Sequence, residues 1–154
     1  MNFWSYFIAV LISFLGIFIG FLLIWIAPEE RKPGQPYFSI LSGIFLFLIA
    51  VFLIVYMRDL KSTILAFHLL LAVFVLKGEL KRYFVPAMLA YVIFISSKNI
   101  SLFLINSSLI LLYHLSIGSI LSNHGKKKQS VITILKYNLS YLILAVCLFI
   151  FAGA

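Results

Sequence analysis

The run FWSYFIAVLISFLGIFIGFLLIWI, residues 3–26, decides how this chain is read, because it carries no charge and has Trp4 and Trp25 near its two ends. In a helix rising 1.5 Å per residue, the steps between those indoles cover about 31 Å, one hydrocarbon thickness, with an aromatic ring at each interface. The segment reads as a membrane span. No Lys or Arg precedes it and it ends at Ala27-Pro28, a poor signal-peptidase site, so it is expected to be retained.

Outward from this segment, the 12 Lys and Arg and the 4 Asp and Glu fall almost entirely in short clusters, which cut the chain into six apolar segments. The spacing predicts an all-α, polytopic membrane protein with spans near 3–26, 38–56, 62–77, 83–97, 100–121 and 131–151, a single transmembrane domain over residues 1–154. Tyr37 and Tyr56 frame the second span as the two indoles frame the first. Between them, Pro28, Pro33, Pro36 and the Pro33-Gly34 turn signal argue against helix. Six spans take about 120 residues, which leaves no room for a soluble domain.

The third and fourth segments are short. Lys61 to Lys77 and Arg82 to Lys98 each enclose only enough residues for about 22 Å of helix. A re-entrant hairpin would bury the charged tip Lys77-Gly78-Glu79-Leu80-Lys81-Arg82 at membrane depth, which is costly. Two short true spans, with their end cations snorkelling and the bilayer thinning locally, are the cheaper solution.

Loops one, three and five hold Arg31, Lys32, Lys77, Lys81, Arg82 and Lys126 to Lys128, whereas the other side holds Arg58, Lys61 and Lys98. This asymmetry puts the odd loops in the cytoplasm and both termini outside, in what reads as a prokaryotic cytoplasmic membrane. Two halves of three spans would then have inverted topology, although no sequence match links them. The net charge of +8 is scattered between apolar segments, which points to anionic lipid headgroups rather than nucleic acid. Lys126, Lys127 and Lys128 are the expected headgroup contact.

All four carboxylates (Glu29, Glu30, Asp59, Glu79) lie in the charged clusters. Carboxylate-coupled ion transport and intramembrane aspartyl proteolysis therefore lack their usual residues. There is no HExxH, GxSxG, CxxC, Walker A or dinucleotide fingerprint, and neither a metal nor a cofactor is expected. The adjacent Glu29 and Glu30 form the one carboxylate pair. They are weak candidates for holding a cation against a lipid phosphate, since Arg31 and Lys32 beside them explain the turn as an ion-paired one.

Two small-residue pairs set how spans touch: Gly16 and Gly20 in the first, Ser39 and Gly43 in the second. Either they form a dimer face or they pack the first two spans against each other within one chain. At 100° per residue, Ser107, His114 and Gly118 share one face of the fifth span, and Thr133, Lys136, Ser140 and Cys147 share one face of the sixth. If those faces meet, Ser107, His114, Thr133, Lys136 and Ser140 line a polar seam for a small solute or protons. Against it, serine and threonine bond back to their own helix, and Lys136 can snorkel to the nearby basic loop. His68 reads as a neutral histidine hydrogen-bonded in the helix packing, and Cys147 as a small apolar residue. Three glycosylation sequons, at Asn99, Asn106 and Asn138, lie in or against the membrane and are discounted.

The sequence therefore points first to a small non-enzymatic membrane protein acting as an assembly subunit of a homo-oligomer or larger complex. The alternatives are a passive facilitator using the fifth and sixth spans and, with less support, a lipid-processing enzyme at the first loop.

Overall fold

The structure is a computed structural model describing residues 2–27, 29, 31–76, 78–121 and 127–152; the side chains of residues 31, 32, 73, 78, 79, 127–130 and 152 fall outside that description. Six helices follow in order: α1 (Phe3–Ile26), α2 (Arg31–Met57), α3 (Leu60–Val75), α4 (Gly78–Ser96), α5 (Ile100–Leu121) and α6 (Lys127–Ala152). Among the described residues there is no strand. By length and composition α1, α2, α5 and α6 are long and apolar enough to cross a membrane; α3 is apolar but shorter.

Local chemistry sets several ends. Asn2 is extended and its side chain accepts from the Ser5 N–H at 2.9 Å, capping α1. Ala27 leaves the helix because a residue before proline is pushed out of the α region. Between α2 and α3, Arg58 sits in the left-handed region (φ 50°) and Asp59 caps α3 by accepting from the Ser62 N–H at 3.4 Å, so two residues reverse the chain. Asn99 does the same for α5, accepting from the N–H groups of Ser101 and Leu102 at 3.1 and 3.2 Å.

Two boundaries differ from expectation. α2 begins at Arg31, not 38, and runs through Pro33, Gly34 and Pro36. Pro33 lies in the first turn, where the N–H has no helical partner anyway, and Pro36 forfeits only its bond to the Lys32 carbonyl. α4 begins at Gly78, not 83, so Lys81 and Arg82 stand on helix rather than in a loop. Glu, Leu, Lys and Arg are all good helix formers and nothing there stops the chain. At 19 residues α4 is about 28 Å long, whereas α3, at 16 residues, reaches only about 24 Å.

α5 is the central helix, packed between α1 and α2 and touching α4; α6 lies on α4 and α1, and α3 lies on the outside against α2. α1 and α5 run parallel, because Ser13 meets Ser107, Gly16 meets Leu111 and Gly20 meets Leu115 at an almost constant offset. In an inverted duplication α4 and α2 would pair as α1 and α5 do, but among the described residues α2 and α4 scarcely meet. The two halves are not packed as repeats.

Polarity is reversed relative to a water-soluble fold. Ser13, Ser96, Asn106, Ser107, His114, Ser116, Ser119 and Asn138 are buried, while Trp4, Ile26, Tyr37, Phe74 and Phe151 are widely exposed. Helices with outward apolar faces and inward hydroxyls suit a hydrocarbon surround, where the interior is the place for polar side chains.

Candidate functional site

Where α2, α4, α5 and α6 converge, they leave a cavity of about 240 Å³, larger than the roughly 150 Å³ that accepts a benzene ring. α2 contributes Ser39 and Ser42, α4 contributes Lys81, Arg82 and Pro86, and α6 contributes Tyr137 and Asn138. The C-terminal half of α5, from Tyr113 to Leu121, closes the wall. The helical start of α4 is what brings Lys81 and Arg82 to the cavity, a consequence of the early boundary at Gly78.

A basic and aromatic cluster holds this end together. The Tyr83 and Tyr137 rings meet edge to face at 4.8 Å. The Arg82 guanidinium lies 5.5 Å from the Tyr137 ring centre, and the Lys136 ammonium lies 5.4 Å from Tyr137 and 5.9 Å from Tyr83. Each such contact contributes about 0.5–1 kcal/mol at an exposed site, enough to orient long side chains. Asn138 donates to the Ile134 carbonyl at 3.1 Å, and Ser42 donates to Ser39 at 2.8 Å. Lys81 stands just before the apolar stretch of α4, and burial holds its ammonium below the ordinary lysine value. Neither Glu29 nor Asp59, the carboxylates with described side chains, lines the cavity. Cations, hydroxyls and an amide around an unfilled volume suit an oxyanion.

The residues of the expected seam are placed as follows. His114 is fully buried and its Nδ1 lies 2.8 Å from the Ser13 carbonyl of α1. Ser107 is buried against α1, its carbonyl accepting from Ser13 at 3.0 Å while its own hydroxyl donates to Leu104 at 3.1 Å. Ser140 donates to Tyr137 in its own helix at 3.2 Å. Thr133 and Ser140 are half-buried and Lys136 is exposed. The inward stripe of α6 is instead Ile134, Tyr137, Asn138, Tyr141 and Ala145, about 120° round the helix from the polar set. α5 and α6 meet through Tyr141, whose ring stands 4.8 Å from His114.

Gly16 and Gly20 pack within the chain, against α5 rather than α2. A Cβ on Gly20 would collide with the Leu115 carbonyl, and one on Gly118 with the Ile17 carbonyl. Ser119 reinforces the contact by donating to the Gly20 carbonyl at 3.1 Å. Ser39 is exposed, and a Cβ on Gly43 would meet nothing within 4 Å. His68 is exposed, not packed inside, with Nδ1 2.7 Å from the Ile64 carbonyl. Glu29 is exposed, whereas Glu30 and Lys126 lie outside the described residues, as do the side chains of Lys127 and Lys128. Cys147 is half-buried. Among the described residues no three His, Cys, Asp or Glu come together.

Sequence reading missed the cavity because it followed hydroxyls along α6 and assigned Lys81 and Arg82 to a loop. The 3.6-residue recurrence of Ile134, Tyr137, Tyr141 and Ala145 was the signal that could have located the inner face. No family model matches the chain, and no curated protein or solved structure matches it. The fold defines a class, an all-helical protein with helices fit to cross a membrane, and function has to be read from the site.

Proposed function

We propose that this is a six-span, non-enzymatic membrane protein that holds the phosphate-bearing headgroup of an anionic lipid in the cavity between α2, α4, α5 and α6. The observation that carries the reading is the cavity itself, with Lys81 and Arg82 on its wall beside Tyr137 and Asn138. Arg and Lys bind phosphate oxygens by charge-assisted hydrogen bonds, which are the stronger kind. The basic ends of α2, α4 and α6 lie with the odd loops, which the charge asymmetry assigns to the cytoplasmic side, where anionic headgroups attract each nearby cation by about 1 kcal/mol. A lipid is favoured over a free anion because the cavity opens among helices whose outer faces are apolar, so acyl chains have a surface to lie on. The assembly reading finds Gly16 and Gly20 already occupied by α5 and rests on the open surface at Gly43.

Native mass spectrometry of the protein extracted from membranes in mild detergent tests the proposal. One phosphate-bearing lipid per chain is expected, with retention falling about tenfold or more in Lys81→Gln/Arg82→Gln, a loss of about 1.4 kcal/mol. Equal retention in wild type and variant would remove the reading. If inorganic phosphate displaces the lipid at low concentration, the ligand is a soluble anion instead.

A further inference from the structure

His114 has no part in the cavity, yet among the described residues it is the one ionisable imidazole wholly enclosed by the bundle. Its Nδ1 faces a carbonyl oxygen at 2.8 Å, which can only accept, so Nδ1 carries the proton of the neutral ring. Nε2 is then left with a lone pair, and that atom is buried without a hydrogen-bond partner. Rings surround it: Phe14 of α1 at 6.4 Å, Tyr113 of its own helix at 5.7 Å and Tyr141 of α6 at 4.8 Å between centres. The Tyr141 hydroxyl is buried beside Ser13 without a well-formed bond.

We propose that Nε2 of His114 is a proton-binding site in the middle of the bundle, and that its occupation releases α1 from α5. The proton comes from the aqueous medium and converts imidazole to imidazolium; no covalent bond in the protein breaks. Among the described residues the new Nε2–H finds no acceptor and the new charge finds no counter-ion. α1, α2 and α5 contain no carboxylate, and α6 contributes only lysines. From α4, Lys81 and Arg82 approach the bundle beside Tyr113 and add positive charge, while the carboxylate of that helix, Glu79, belongs to its first turn and its side chain lies outside the described residues. The titratable groups against the ring are thus Tyr113 and Tyr141, and neither is a base while its hydroxyl keeps its proton.

The contact that must yield has no slack. One to two turns from the Ser13–His114 bond, the backbones touch at Gly16, Gly118 and Gly20. A lateral shift of α1 therefore breaks the whole contact rather than part of it, and lets water reach the imidazolium. An uncompensated charge in a dry site favours that opened state.

Nitrogen NMR of ¹⁵N-histidine protein in lipid, with the His114 signal assigned by its loss in His114→Gln, reads the site directly. At pH 7.5 the expected signature is a protonated Nδ1 and an Nε2 without a hydrogen bond. Spin labels at Ser5→Cys and Ser101→Cys in a Cys147→Ser background, at adjoining ends of α1 and α5, are expected to separate by several ångström on acidification to pH 4.5. That separation should be absent when His114→Gln is added. An Nε2–H tautomer, a hydrogen-bonded Nε2 at pH 7.5, or the same separation with and without His114 would each overturn the proposal. If His114→Gln does not fold, His68→Gln and His124→Gln assign the His114 signal by elimination, and an Nε2–H tautomer, a hydrogen-bonded Nε2 at pH 7.5, or no label separation at pH 4.5 still overturns the proposal.

Discussion

Arg58 and Asp59 show how much of this architecture is set by single residues. Two residues turn α2 into α3 because one adopts φ 50° and the next supplies a cap. The Asp59 carboxyl is held below its ordinary value, first by the neighbouring Ser62 hydroxyl and then by backbone N–H groups. The ionised cap is therefore favoured in the folded hairpin. Its contribution is complete above the unfolded carboxylate value of about 3.9 and is lost as pH falls through the lower folded one. Hydrogen exchange at the start of α3 is expected to quicken, beyond its intrinsic pH dependence, below about pH 4. Asp59→Asn, which still caps, should abolish that extra response while leaving the hairpin formed at neutral pH.

At the scale of elements, the α1–α5 pair depends on glycines and α2 does not. Gly20→Ala drives a Cβ into the Leu115 carbonyl and should destabilise the fold by about 1–3 kcal/mol, the usual cost of overpacking. Gly43→Ala enters open space and should be neutral or stabilising by about 0.5–1 kcal/mol, as a helical glycine with room for a Cβ is replaced. Denaturation of both variants in one detergent makes the comparison. The four long apolar helices were legible in the sequence, because length and the absence of charge are local properties. The starts of α2 and α4 were not. A proline in a first turn and a charged segment of good helix formers look like loop until it is known which N–H groups lack partners. The inner face of α6 was misread for a different reason: hydroxyls in lipid can satisfy themselves on their own helix, so polarity does not mark the buried side as Tyr137, Asn138 and Tyr141 do.

For the molecule as a whole, six spans require the turns at Arg58–Asp59 and Ser97–Asn99 to face one side of the membrane and the start of α2 to face the other. Single cysteines at Lys98 and Gln35, in a Cys147→Ser background, are expected to react with an impermeant maleimide from opposite sides; reaction from the same side would exclude an odd number of crossings between them. The asymmetry also distributes roles. The turns from α2 to α3 and from α4 to α5 are short and capped, while Lys81, Arg82 and the cavity lie at the opposite end of the bundle.

The contact between α1 and α5 also constrains the order of events during synthesis. Gly20 and Leu115 lie 95 residues apart (115 − 20), and a ribosome adding roughly 5–20 residues per second needs about 5–20 s to bridge that interval. Through that time the surface of α1 at Gly16 and Gly20 lacks the α5 backbone that covers it in the fold. The α1–α5 contact can therefore close only once residue 115 has been added.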